Sequence, residues 1–248
     1  MCQVNASQTT VRRRLLDKEM YGRVAVRKPH LRKEHRSKRL NWATDHLQWT
    51  PEQWSRVLWS DESNFQLYLT GKRVFVRRRP GERLLEDCVT PTVKHGGGHV
   101  MVWGCMCSQG VGILRRIDGN LRKEGYTDLL STAMLPSAVA LFPDGDFVFQ
   151  QDNARVHTAH VVRDWFEDND VAVMDWPAQS PDLSPIENLW EILFRKVQNK
   201  QPSNLDELWQ ILCTAWYSIT EEELCRLVDS VPRRLRAVRT QKGFSTKY

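Results

Sequence analysis

Residues 146–154 read DFVFQQDNA, and the architecture of the chain turns on them. Phe147, Val148 and Phe149 are strand formers, and they give way at once to Gln150, Gln151, Asp152 and Asn153. A short apolar run that breaks into polar residues predicts a buried strand whose carboxyl end opens on a crevice. Helical segments flank it: residues 126–142, interrupted near Pro136, and residues 158–169. Residues 171–177 form a further short strand. Strand and helix in alternation predict crossover units.

Working outward, three strand-like segments precede this region: 57–69, 73–82 ending in a Pro-Gly turn, and 96–107 after a glycine-rich turn. Helical patterns follow it at 185–199, 204–218 and 221–239. The N-terminal part reads as a short helix at 8–20, an extended stretch broken by Gly22 and Pro29, and a helix at 31–48 with Leu40, Ala43 and Leu47 on one face. Pro51 then opens a short helical turn. A meander of strands joined to crossover units predicts an α/β fold, a mixed sheet flanked by helices. That order is compatible with a ribonuclease H-like architecture.

The 248 residues are 41% hydrophobic and 27% charged, as in ordinary soluble globular chains. No apolar run is long enough to span a bilayer, so a membrane partner is not expected, and the N-terminus lacks the apolar core of a secretion signal. Six cysteines are scattered without a CxxC pair or histidines at zinc spacing. Cys105 and Cys107 fall on one face of a strand, where buried free thiols are expected. Charge is more telling. Residues 1–45 carry twelve bases (Arg12, Arg13, Arg14, Lys18, Arg23, Arg27, Lys28, Arg32, Lys33, Arg36, Lys38, Arg39) against four acids, whereas the remainder carries 24 against 26. A basic end on a near-neutral body points to a polyanion such as nucleic acid.

Three acids stand where such a sheet gathers ligands. Asp61 lies at the polar break of VLWSDES, Asp152 ends the strand quoted above, and Glu187 opens a helix after WPAQSPDLSPIEN. Carboxylates are the hard oxygen donors that Mg²⁺ takes. Three that converge could hold two ions across a phosphodiester. For Glu187 a second reading stands beside this one, because Ser184-Pro185-Ile186-Glu187 is also a capping box with proline at the first helical position.

The motifs LWSDESNFQL, PTVKHGGGHVMVWGC, VFQQDNARVHTA and WPAQSPDLSPIENLWEIL together resemble the catalytic domain of the Tc/mariner superfamily of DDE transposases, the Tc-type branch in particular. The resemblance runs from about Val11 to the C-terminal KGFSTKY. Asp152 and Glu187 have 34 residues between them, and Asp61 and Asp152 have 90, in keeping with that branch. It implies a ribonuclease H-like core at 49–248, with Asp61, Asp152 and Glu187 binding two Mg²⁺ or Mn²⁺ ions. The implied activity is cut-and-paste transposition: strand cleavage of double-stranded DNA at terminal inverted repeats, then strand transfer into a TA target. Asn153 and His157 fall in the second-aspartate motif. Asn153 orients Asp152 or contacts substrate; His157 supports the site or packs and caps.

Residues 1–48 resemble the closing part of a helix-turn-helix domain and its linker, and the resemblance implies further helices before it in intact members, which act as homodimers. The bases from Arg12 to Arg39 are the expected DNA contacts, and RKPHLRKEHRSKR reads also as a nuclear localisation signal. Arginines around RRRPGE line a DNA path or form a solvated hairpin. A second function class remains: a nuclear DNA-binding relic that keeps the fold without transposing.

Overall fold

Val57, Leu58 and Trp59 start a ten-residue strand, β1 (Val57–Gln66), at the centre of a sheet ordered β3-β2-β1-β4. The structure, a computed structural model, describes residues 7–23, 28–67, 79–81, 97–198 and 200–248. β2 (His99–Met106) pairs antiparallel with β1, Asp61 opposite Gly104, and β3 (Arg115–Ile117) pairs antiparallel with β2. β4 (Val148–Gln150) lies parallel to β1 on its other side, Trp59 opposite Gln150. The expected mixed sheet is the observed one.

Side chains alternate across β1 with period two, and the alternation divides the core. Val57, Trp59 and Phe65 join one apolar cluster with Val100, Val102 and Met106. Over that face pack α2 (Lys33–Asp45), α3 (Pro51–Ser55), α7 (Ile186–Val197), α8 (Leu205–Tyr217), α9 (Glu221–Val228) and α10 (Val231–Thr240). Leu58, Trp103, Cys105 and Phe149 face the other way, under α4 (Lys123–Leu129), α5 (Leu135–Leu141) and α6 (His160–Asp168). Cys105 and Cys107 are free and buried, as expected. A Cβ at Gly104 would lie 2.8 Å from the Trp216 ring and 2.9 Å from Trp190. Glycine there leaves both indoles room against the strand.

Several boundaries differ from expectation. The helix expected at 126–142 is α4 and α5 joined by a π turn, Leu130–Met134. Pro136 has no N–H to give, so the hydrogen-bond ladder changes register before it instead of breaking. The helix expected at 221–239 is two helices, α9 and α10, with Pro232 in the first turn of the second. The strand expected at 171–177 is reduced to one bridge, Phe149 with Val173, and β3 was not foreseen because three residues carry no periodicity. The strand at 73–82 and most of the arginines of its turn lie outside the described residues, as does the start of the KHGGG segment.

Two compact units divide the chain, Met1–His30 and Leu31–Tyr248. In the first, α1 (Gln8–Leu16) is capped by the Ser7 hydroxyl, which accepts from the Thr10 N–H, and ends earlier than expected. Its Val11, Leu15 and Leu16 are exposed. The second unit contains α2, although the sequence groups residues up to 48 with the N-terminal remnant. The reason is burial: Trp42 and Ala43 enter the core, and so does Arg39.

Arg39 therefore corrects an expectation. Read as a DNA contact, it is fully buried, and its guanidinium grips Asp182 through Nη1–Oδ1 at 2.7 Å and Nη2–Oδ2 at 2.8 Å. The remaining N–H groups donate to the carbonyls of Gly243, Gln179 and Phe244. The Thr246 N–H and hydroxyl donate to the same Asp182 carboxylate. α2, the loop before α7 and the C-terminal tail are thus one knot.

Candidate active site

The polar break of β1 places consecutive acids on opposite faces of the sheet. Asp61 points to the α7 side, where the Trp190 indole N–H donates to its Oδ2 at 3.0 Å. Trp190 in turn stacks on Trp216, ring centroids 5.3 Å apart. Burial pushes the Asp61 carboxyl well above the usual carboxylate range, and the negative charges of Glu187 and Glu62 push it further. Glu187, in the first turn of α7, is therefore an electrostatic neighbour of Asp61.

Asp152 arrives from the adjacent parallel strand. Ser60 donates to the Gln150 carbonyl at 2.7 Å, and continuing the register of β1 and β4 by two residues brings Asp152 level with Asp61. Its exposed side chain is anchored by the backbone. Oδ1 accepts from the Ala154 N–H at 2.8 Å, an Asx-type turn, and from His157 Nδ1 at 2.7 Å. The other ring nitrogen of His157, Nε2, reaches Glu62 Oε1 at 3.3 Å. Burial alone would lower the histidine's affinity for a proton, but bonds to Asp152 and Glu62 outweigh it and raise the pKa to about 10. His157 is an imidazolium spanning two carboxylates. Burial works against the Asp152 charge, and the His157 and Ala154 bonds still hold its pKa below the usual value.

The imidazolium lies against the Tyr126 ring, centroids 4.3 Å apart, and the Tyr126 hydroxyl donates to Gln151 Oε1 at 2.6 Å. Asn153 turns away from Asp152: its amide donates to the Trp176 carbonyl at 2.6 Å, fastening the strand exit to the loop that leads to Glu187. The orienting of Asp152 falls to His157 and Ala154.

The capping box is absent. Pro185 is the N-cap of α7, so Glu187 is one residue too early to be the N3 partner. The Ser184 hydroxyl is buried without a hydrogen-bond partner.

Sequence reading missed Glu62, Tyr126 and the pairing of Arg39 with Asp182. The signal for Glu62 was available: adjacent acids on a strand must face opposite ways.

The residue types suit a divalent cation. All three acids offer hard oxygens, and the repulsion that Glu187 and Glu62 impose on Asp61 is what a positive ion would relieve. Among the described residues, no group of three or more His, Cys, Asp or Glu is drawn closely enough to hold a metal as it stands.

The bases expected to meet DNA divide. Arg12, Arg13, Arg14, Arg23, Arg32, Lys33 and Lys38 are exposed, and so is Lys28. Arg36 is partly buried and lies 4.2 Å from the Phe244 ring centroid. Arg27 lies outside the described residues.

A family model described as DDE superfamily endonuclease matches residues 56–209, and a second, a helix-turn-helix model described as Transposase, matches residues 3–48. The chain is 45% identical over 242 residues to the transposable element Tc1 transposase of Caenorhabditis elegans, covering 98% of this chain and 88% of that one. It is 42% identical over 246 residues to the Tcb2 transposase of Caenorhabditis briggsae, covering 99% and 90%. Among solved structures, the Mos1 transposase paired-end complex with left transposon end superposes with a TM-score of 0.82 at 21% identity, over 97% of this chain and 72% of that one. The Mos1 catalytic domain solved with raltegravir and Mg superposes with a TM-score of 0.70 at 17% identity, over 88% and 100%.

Proposed function

The chain belongs to the DDE superfamily endonucleases as a Tc1/mariner-type transposase with a ribonuclease H-like catalytic domain, and from that premise we propose that it cuts double-stranded DNA at transposon ends and joins the cut ends to a target. Asp61, Asp152 and Glu187 are the proposed ligands of two divalent cations, Mg²⁺ or Mn²⁺. When bound, such ions would activate the attacking water or 3′-hydroxyl and stabilise the leaving oxygen.

The observation that carries this reading is the setting of Asp61. A carboxylate at a strand break, held by an indole N–H and repelled by two neighbouring acids, is built for a cation. The rest of the chain's work is positioning, which is most of what phosphoryl transfer asks of a protein. Trp190 fixes the Asp61 rotamer. His157 and the Ala154 N–H hold one oxygen of Asp152 and leave the other for a ligand.

The exposed bases of residues 12–38 would bind phosphates without regard to sequence, while a TA target, action as a homodimer and residence in the nucleus complete the proposal. The test is strand cleavage of duplex DNA carrying inverted-repeat ends, in Mg²⁺ and in Mn²⁺, by the full chain and by Asp152→Asn. The reading expects cleavage by the first and at least a thousandfold less by the second. Equal cleavage by both would sink the metal assignment.

A further inference from the structure

The turn that presents Glu187 is held from the far end of the sequence. α7 starts with no side-chain cap, and the Ser184 hydroxyl supplies none. What grips this turn is Arg234 of α10, only 2% exposed. Its Nη1 donates to the carbonyls of Asp182 at 3.1 Å and Ser184 at 3.3 Å. Nη2 donates to Asn188 Oδ1 at 2.5 Å, and Nε donates to the Ser230 hydroxyl at 2.7 Å. One rigid guanidinium therefore spans the backbone before Glu187 and the side chain just after it.

We propose that Arg234 is a positioning residue for Glu187, setting the direction in which that carboxylate meets a divalent cation. The inference rests on the proposed function of the acidic site.

Stability alone does not account for this placement. The Asp182 carboxylate is taken by Arg39 and Thr246, and offers Arg234 only its backbone carbonyl. Burial drags the Arg234 pKa down to about 10. A cation beside the first turn of a helix also opposes the helix dipole. An apolar residue of similar volume would often serve stability as well or better. What the fork gives, and an apolar side chain cannot, is a fixed geometry on both sides of Glu187.

The test is Mn²⁺ binding by the full chain, read as free Mn²⁺ by electron paramagnetic resonance, so that no turnover is needed. Arg234→Met is expected to weaken binding 10–100-fold, as loss of a residue orienting a metal ligand does. Asn188→Ala should weaken it in the same direction by a smaller factor, and Arg233→Met, an exposed neighbour on α10, should leave it unchanged. Asn188→Ala decides if Arg234→Met does not fold. A folded Arg234→Met or Asn188→Ala that binds Mn²⁺ like the parent overturns the inference alone. A parent chain that binds no Mn²⁺, or binds it equally with Glu187→Gln, overturns the site reading, and the inference falls with it.

Discussion

Replacing Arg39 by methionine sets a structural role against a DNA contact. The side chain is fully buried, with both Asp182 oxygens and three backbone carbonyls as acceptors. Removing one member of a buried ion pair leaves its partner charged in a poor dielectric, at a cost of about 3–5 kcal/mol. Asp182 keeps the Thr246 N–H at 2.8 Å and hydroxyl at 2.9 Å, which soften the loss, while three carbonyls lose a donor, which deepens it. A net loss of about 4 kcal/mol is expected. At roughly 2–4 °C per kcal/mol for a unit of this size, the melting temperature should fall by about 10 °C. The assay is thermal unfolding followed by circular dichroism, paired with duplex-DNA binding at fixed salt well below the transition. DNA affinity should stay within about twofold, since losing a single phosphate contact would already be visible in the salt dependence. Adding Asp182→Leu to Arg39→Met should recover at least half of the lost stability, because no charge is then stranded. A drop under 2 °C combined with weakened DNA binding would refute this reasoning and return Arg39 to the DNA surface.

Asp61→Asn should abolish metal-dependent cleavage yet raise the melting temperature in chelator. The amide still accepts from Trp190, while repulsion by Glu187 and Glu62 disappears, a gain of about 1 kcal/mol; a lower melting temperature would contradict it. Asp182 predicts the acid limb of stability. Its pKa is depressed because, against the cost of burial, Arg39 and Thr246 favour the charged form. Its contribution is therefore present above the ordinary aspartate pKa of about 4 and is lost as pH falls through the lower folded value. The stability gap between the parent chain and Asp182→Asn, from urea unfolding, should be level above about pH 5 and shrink below pH 4. A gap that widens on acidification would show the sign to be wrong.

Legibility differed from place to place, for physical reasons. The strands carrying Asp61 and Asp152 announced themselves, since apolar runs that break into polar residues depend only on near neighbours in sequence. α7 was equally visible, but its cap was not. Ser-x-x-Glu is a local pattern, and here a residue fifty positions away, Arg234, occupies the carbonyl of Ser184 while Pro185 takes the N-cap. Arg39 shows the same limit from the other side. In the run from Arg27 to Arg39, seven bases in thirteen residues, it looked like its neighbours, and only a carboxylate 143 residues on distinguishes it. His157 was ambiguous because its meaning depends on Glu62, which reaches it from β1, 95 residues earlier. The split between α9 and α10 could have been read, since Pro232 sits in the middle of the apparent helix.

The knot of α2, the loop before α7 and the tail has a consequence for how the protein is made. Arg39 leaves the ribosome before the acids, and its bond to the Gly243 carbonyl spans 204 positions. Arg234 and Thr246, which steady the same loop, are translated after all three acids. Asp61, Asp152 and Glu187 are all present in the nascent chain long before the grip on the last of them can form. A product interrupted by premature termination or proteolysis before α10 carries the whole triad and lacks its brace. Synthesis of α10 is thus the step that completes the support of Glu187.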